Sequence, residues 1–163
     1  MGDNLITRSF PWVNVGTFTA ADSTPNTCSY ATMDALTNTV IYSVPEVFNN
    51  AEFRFTGDTN GDTIIYDLYA SRGNDSNDWF TRVCTITAVC GATAKDSASV
   101  LFCDQITVSN EQWYKTLVVA DGGTADTERV ARLALDACGY RFWAIVPTTI
   151  PSSSSNTVDI SGW

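Results

Sequence analysis

The chain of 163 residues contains no histidine and only two lysines, Lys95 and Lys115. Without histidine the commonest general base is missing, and Ser-His-Asp and Cys-His catalytic arrangements are excluded. No Gly-rich phosphate loop or nucleophile-elbow motif is present. A carboxylate pair for glycoside hydrolysis is left open, but Asp and Glu sit mostly in loops beside Gly, Asn and Ser, where turn formation is their expected role. The sequence therefore predicts a protein that is not an enzyme, with no catalytic residue and no cofactor.

Basic residues are scarce overall: nine Lys and Arg stand against 18 Asp and Glu, for a formal net charge of -9. A surface this acidic repels phosphate backbones, and no cluster of Lys and Arg offsets the repulsion. No apolar run approaches the roughly 20 residues needed to cross a bilayer. The start, MGDNLITRSFPW, lacks the basic segment and apolar run of a secretory signal. We therefore expect no nucleic-acid partner, no membrane association, and synthesis in a cytoplasm.

The chain has five cysteines, an odd number with no CxxC pair. This count fits neither a disulfide framework nor a zinc site. Cys84 and Cys90 fall on one face of a predicted strand, with Ile86 and Ala88 between them, roughly 20 Å apart and beyond disulfide reach. We expect the cysteines to be reduced and mostly buried. Their positions are Cys28, Cys84, Cys90, Cys103 and Cys138.

Threonine and aromatic residues are abundant instead, with 22 threonines and 12% aromatic residues, a composition that favours strands. About seven or eight short strands at intervals of about 10 residues predict an all-β protein, a β-sandwich or jelly-roll-like single domain. Residues 1–20 show no sustained period, so we expect an extended N-terminal arm. Residues 21–163 then form the sandwich domain, which ends in the short edge strand NTVDISGW.

The clearest strand signal is AEFRFTGDTNGDTIIYDLYASRG, residues 51–73, in which apolar and polar residues alternate on both sides of a polar tip. Asn60-Gly61 supplies two residues that tolerate positive φ, as a type I′ turn requires, so the run predicts a hairpin. Other predicted elements are strands over 39–44, 80–90, 99–108 (irregular at Asp104) and 113–120, and one helical turn within 30–39.

The tip GDTNGD also places Asp58, Asn60 and Asp62 at every second position, as the first oxygen ligands of a calcium loop are placed. A calcium loop of the helical type requires Gly at its sixth position and Glu at its twelfth. Those positions hold Thr and Tyr. We interpret the tip as a turn and expect no metal, with calcium left open only if Asp75 and Asp78 converge on it from the next loop.

The segment TERVARLALDACGYRFWAIV, residues 127–146, fits two interpretations. As a helix, Val130, Leu133, Ala134 and Ala137 line one face and Gly139 ends it. As a hairpin, alternate residues from 131 to 135 face inward, residues 136–139 turn, and residues 140–146 return. We favour the hairpin because the flanking sequence is β-like throughout.

Five tryptophans are spread along the chain, and we assign Trp113 and Trp143 to packing inside the body. The apolar residues near the termini lack a period that places them in the body's own core. Terminal aromatics beside Pro or Gly favour docking on a neighbour's surface. The predicted partner-binding residues are Phe10, Pro11, Trp12, Val13 and Trp163.

The arm, the segments FRFTGDTNGDTIIYDLYASRG and VARLALDACGYRFWAIV, and the closing VDISGW resemble auxiliary virion proteins of tailed bacteriophages, such as the decoration (cement) proteins that coat capsids. The resemblance implies a jelly-roll or sandwich body, homo-oligomers that are often trimers, and binding to the major capsid protein on the virion surface after synthesis in the host cytoplasm. It carries over no catalytic residue. Two alternatives stay open: a carbohydrate-binding module of a phage fibre or adhesin, and a tail-tube or major capsid component.

Overall fold

The structure, a computed structural model, describes residues 10–23, 27–44, 50–57, 61–94, 101–109, 115–120, 131–136, 139–151 and 156–162. Within these ranges the chain forms eleven β-strands and one short helix, α1 (Tyr30–Asp34). The strands are β1 (Phe10–Phe18), β2 (Thr27–Ser29), β3 (Val40–Ser43), β4 (Asn50–Gly57), β5 (Thr63–Ser71), β6 (Trp79–Ala94), β7 (Leu101–Ser109), β8 (Lys115–Ala120), β9 (Ala131–Asp136), β10 (Phe142–Thr149) and β11 (Asn156–Gly162).

Two antiparallel sheets pack against each other, so the chain is an all-β sandwich. The first sheet has the order β1-β11-β4-β9-β8, and the second has the order β3-β10-β5-β6-β7. Four strands of each follow the jelly-roll order, with β1-β11-β4-β9 facing β3-β10-β5-β6. The ladder also passes between the sheets at one corner, where Thr56 and Gly57 at the end of β4 pair with the start of β7.

The main core lies between the sheets and is built from large aromatic side chains. Phe53 on the first sheet meets Trp143 on the second edge to face, with ring centroids 5.4 Å apart. Tyr66 on the second sheet meets Phe55, stacked at 5.5 Å, and Phe18, edge to face at 5.3 Å. All five side chains are fully buried. Because fully burying one such side chain stabilises by about 1.5–3 kcal/mol, these rings hold the two sheets together.

A second, smaller cluster covers the outer face of the second sheet. The helix α1 begins at the cap Ser29, whose side chain accepts a hydrogen bond from the Thr32 N–H. Its Met33 packs with Tyr69 and Phe80, which point away from the main core. The chain thus uses its own β2–α1 segment to cover this outer face.

Several sequence-based predictions are confirmed by this fold. The all-β sandwich is present, α1 lies within the predicted helical turn, and Trp143 is buried. Cys84 and Cys90 share the buried inner face of β6, and Cys28 is a third buried thiol. The β6–β7 register steps from Val89 opposite Gln105 to Cys90 opposite Cys103, so Asp104 is the extra residue of a β-bulge. Trp113 and Cys138 lie outside the described residues.

Both predicted hairpins are wrong, although their strands are present. β4 and β5 lie in different sheets, and so do β9 and β10. The chain therefore passes from one sheet to the other between β4 and β5 and again between β9 and β10, and the described Gly61 and Gly139 have positive φ. Alternation shows that one face of a strand is buried, but in a sandwich the next strand lies equally well in either sheet. The helix alternative for 127–146 is also wrong for the described part, since residues 131–136 form β9.

Part of the predicted extended arm, residues 1–20, belongs to the first sheet of the sandwich. Phe10–Phe18 form β1, which pairs with β11 in the first sheet, and Phe18 is fully buried in the main core. The register shifts between Phe10 and Val13 and again between Asn14 and Gly16, which breaks the period-2 pattern that marks a regular strand. Residues 1–9 lie outside the described residues.

The predicted C-terminal edge strand is interior instead. β11 (Asn156–Gly162) pairs with β1 on one side and with β4 on the other. Its neighbour β1 comes from the opposite end of the sequence. Local patterning cannot reveal this pairing.

Candidate partner-binding surface

The first candidate site is a row of polar side chains on the outer face of the first sheet. In the strand register Asn14 lies opposite Asp159, and Asp159 lies opposite Arg54, so one residue from each of three neighbouring strands falls in line. Arg54 Nε and Nη2 donate to Asp159 Oδ2 at 3.0 and 2.8 Å. Asn14 Nδ2 donates to the other carboxylate oxygen, Oδ1, at 3.1 Å. The carboxylate therefore holds the arginine from one side and the amide from the other.

Trp12 adds an aromatic ring to this row. The Arg54 guanidinium carbon lies 4.6 Å from the centroid of the Trp12 ring, within the range of a cation–π interaction. Trp12 is only partly buried. The indole is thus held against the outer face of the sheet by an arginine whose own position is set by Asp159. We call Trp12, Asn14, Arg54 and Asp159 the Trp12 surface.

The charges of the Trp12 surface are paired but reachable by solvent. The Arg54 and Asp159 side chains are 23% and 14% exposed, respectively. At this exposure water screens the pair, and an ion pair of this kind contributes about 1 kcal/mol or less to stability. Its larger effect is geometric, because a planar guanidinium that donates two hydrogen bonds to the Asp159 carboxylate presents a fixed face to the indole.

The structure places the five predicted partner-binding residues as follows. The Phe10 backbone lies opposite Gly162, so the beginning of β1 and the end of β11 are adjacent. Pro11 is exposed, Trp12 lies on the outer face, and Val13 packs against the main core from the inner side. Trp163 lies outside the described residues. Whether these residues bind a partner stays a prediction.

Sequence reasoning missed the other three members of the Trp12 surface. Alternation with Phe53 and Phe55 does indicate that Arg54 faces outward. Nothing in the local sequence indicates that Asn14 and Asp159, 145 positions apart, share a hydrogen bond. Their contact depends on the β1–β11 register, which includes two irregularities.

A second candidate site lies at the end of the molecule formed by the β5–β6 connection. Trp79 is 63% exposed, and among the described residues it is the large apolar side chain that is exposed to solvent. The loop before it is ordered by Asp78, whose Oδ2 accepts from the Asp75 N–H at 2.8 Å and whose backbone oxygen accepts from the Tyr30 N–H at 2.7 Å. An exposed indole directly after this ordered loop offers a flat apolar surface for a ligand.

Aromatic and charged groups flank this end. Arg72 is in the same β5–β6 connection, and its guanidinium carbon lies 5.0 Å from the ring centroid of Tyr140, which precedes β10. Burial raises the pKa of Tyr30, and the nearby Asp34 carboxylate raises it further. Tyr42, on β3, also has a raised pKa because of burial. Both phenols therefore favour the neutral, hydrogen-bonding form more strongly than a tyrosine in water does.

Asp62, the described member of the calcium arrangement left open by the sequence, lies far from Asp75 and Asp78 of the next loop. Backbone hydrogen bonds place Gly61 and Asp62 beside Cys90, near the far end of β6. Asp78 immediately precedes the first residue of β6, so roughly 40 Å of strand separates the two loops. In the part of the chain that the structure describes, no three potential ligands lie together to hold a metal ion. Asp58 and Asn60 are outside that part.

Comparison of the chain with family models, with curated proteins and with solved structures gives no match. No helix in the described ranges is long and apolar enough to span a membrane. Function is therefore inferred from the fold and from the chemistry of the two surfaces.

Proposed function

We propose that the protein is a non-enzymatic virion structural protein, a decoration (cement) protein that binds the outer surface of a tailed-bacteriophage head and stabilises it. The observation that carries the proposal is the Trp12–Arg54 stack, held on the outer face of a sheet by Asp159. Its partners are the major capsid protein and further copies of itself, as a homo-oligomer. Its location is the capsid surface, after synthesis in the host cytoplasm.

The chemistry of the Trp12 surface suits a protein partner. Tryptophan and arginine are the residue types most enriched among interface positions that dominate binding energy. Here both are positioned before any partner arrives, so little side-chain freedom is lost on binding. Arg54 is neutralised by Asp159, and the chain as a whole carries a net charge of -9. Binding then comes from apolar and planar contacts, with the acidic charge keeping unbound copies soluble.

The fold supports the proposal by analogy. Jelly rolls occur in viral capsid proteins and in lectins. Because one fold hosts many functions, this likeness is compatible with a virion role and equally with sugar binding. The choice between them depends on which surface is used.

The test compares substitutions of two tryptophans, Trp12 and Trp79. Both Trp12→Ala and Trp79→Ala remove an indole that is not part of the main core. We expect Trp12→Ala to weaken binding to particles lacking the protein at least tenfold, about the 1.4 kcal/mol of a moderate interface contact, and Trp79→Ala to leave it unchanged. Co-sedimentation with such particles measures both. Equal binding by the two variants and the wild type contradicts the proposal.

A second candidate function is a carbohydrate-binding module of a phage fibre or adhesin. The observation that favours it is the 63% exposed Trp79 beside the Asp75–Asp78 loop, since an indole face stacks on sugar rings and carboxylates accept hydrogen bonds from hydroxyls. A glycan array separates the two functions: a lectin binds some glycan and loses it in Trp79→Ala, whereas a decoration protein binds none.

A further inference from the structure

Two cysteines lie opposite each other in the backbone register of β6 and β7. In the backbone register Cys90 on β6 lies directly opposite Cys103 on β7, next to the bulge at Asp104. Residues directly opposite in an antiparallel pair have Cα atoms about 4.5–5.5 Å apart. Disulfides span Cα separations of about 4.4–6.8 Å. The backbone thus places these two cysteines within disulfide reach.

The other described cysteines lie opposite residues of other types in the strand register. Cys84 shares the inner face of β6 with Cys90, but its opposite residue on β5 is Leu68, and the β6–β7 register begins after it, at Thr85. Cys28 on β2 lies opposite Phe80. Among the described strand pairings, Cys90 and Cys103 are therefore the cysteines that oppose each other.

The pair lies at a structurally sensitive place. The Cys90 sulfur packs against Gly57, at the point where a Cβ on that glycine would overlap it. Gly57 is also the last residue of β4 and pairs with Leu101 on β7, where the ladder passes from one sheet to the other. A covalent link between β6 and β7 here reinforces the corner that joins the two sheets.

From this placement we infer that Cys90 and Cys103 are a cross-strand redox pair, reduced as synthesised and converted to a disulfide by a small disulfide oxidant such as oxidised glutathione. One cysteine thiolate attacks the oxidant's S–S bond and releases one glutathione thiol. The other cysteine thiolate then attacks the mixed disulfide and releases the second. Two cysteine thiols lose two protons and two electrons, and the oxidant gains them as two thiols.

The inference is independent of the proposed function. It predicts slow chemistry, because Cys90 is 2% exposed and the oxidant reaches it only when the strands open locally. Once formed, the bridge closes the short loop between residues 90 and 103 and restricts the unfolded chain. The oxidised protein is then more stable than the reduced one.

The experiment uses the full-length protein, incubated with oxidised glutathione or with a reducing agent and then denatured for thiol counting. We expect the count to fall from five to three, peptide mapping to identify a Cys90–Cys103 bridge, and Tm to rise by about 5 °C. Cys103→Ser should abolish the bridge and the rise in Tm. Cys84→Ser, the control on the same strand face, should retain both.

The mapping on wild-type protein needs no variant, so the test does not depend on how well the serine variants fold. A count that stays at five after prolonged oxidation overturns the inference. So does a bridge that joins any other two cysteines, or glutathione adducts at Cys90 and Cys103 without a bridge between them.

Discussion

Each sheet carries an aspartate–arginine pair on its outer face, and the two pairs differ in contact geometry and in what covers them. On the first sheet, Arg54 makes two short hydrogen bonds to Asp159, and the ring of Trp12 lies over its guanidinium. On the second sheet, Arg82 reaches Asp67 through a single contact of 3.4 Å. The second pair is also the more enclosed, with side chains 18% and 10% exposed against 23% and 14%.

The difference separates a structural pair from one that shapes a surface. Asp67 lies on the same outer face as Tyr69, which is covered by the cluster around α1. The Asp67–Arg82 pair is therefore part of a face that the chain itself closes. The first sheet has Trp12 on its outer face, positioned by the Arg54–Asp159 pair. We infer that a partner binds this face, on which the described residues place Trp12.

The largest expected effect comes from opening the closed face. Met33→Ala removes a side chain that is 1% exposed and packs with Tyr69 and Phe80. We expect a loss of about 3 kcal/mol in the free energy of unfolding, from lost burial and the cavity left behind. Urea denaturation followed by circular dichroism measures it. An unchanged midpoint would mean that α1 does not seal the second sheet.

The next effect distinguishes the two acidic residues. Asp67→Ala leaves the mostly buried Arg82 without its carboxylate, so we expect about 2 kcal/mol of destabilisation, below the range for fully buried pairs because of the remaining exposure. Particle binding, corrected for the folded fraction, should not change. If the folded fraction of this variant binds particles less well than the wild type does, the second sheet takes part in the interface.

Asp159→Ala is the matched change on the first sheet, and we expect the opposite balance. Stability should fall by only about 1 kcal/mol, because the pair is more exposed. Binding to undecorated particles should weaken several-fold, since Arg54 no longer holds the Trp12 ring in place. The unfolding midpoint and the particle-binding constant of both aspartate variants test this difference between the two sheets. A larger loss of binding in Asp67→Ala than in Asp159→Ala would contradict it.

The smallest expected effect is on stability at alkaline pH and comes from Tyr42. Burial disfavours the phenolate and raises the pKa of Tyr42 in the folded state. The folded protein therefore holds this proton more tightly than the unfolded chain, so the contribution to stability is present below about pH 10 and is lost as pH rises through the folded pKa. Tyr42→Phe should lose less stability between pH 9 and pH 11 than wild type does. Urea denaturation at the two pH values measures the free energy of unfolding of both proteins. An equal loss between pH 9 and pH 11 in Tyr42→Phe and in the wild type would contradict the prediction.

Strand existence was predictable from the sequence because burial of one face leaves a local trace. Phe53 and Phe55 alternate with Arg54, and this pattern identifies β4 without any tertiary information. Strand partners were not predictable, since Gly61 and Gly139 fit a crossing between sheets as well as a hairpin turn.

The Trp12 surface was predictable only in part, for the same reason. An aromatic near the N-terminus was visible as a partner-binding candidate, but β1 was hidden by its two register shifts. The contacts of Trp12 and Asn14 come from strands β4 and β11, far along the chain. Long-range pairing, which no local pattern encodes, assembles the site.

The most direct measurement is oxidative footprinting of tryptophan, read by mass spectrometry, on free protein and on protein bound to particles. The partner is expected to cover the outer face of the first sheet, so modification of Trp12 should fall several-fold on binding. Trp79, which is 63% exposed at another part of the molecule, should react equally in both states. Protection of Trp79 with no change at Trp12 would contradict the assignment of the interface to the Trp12 surface.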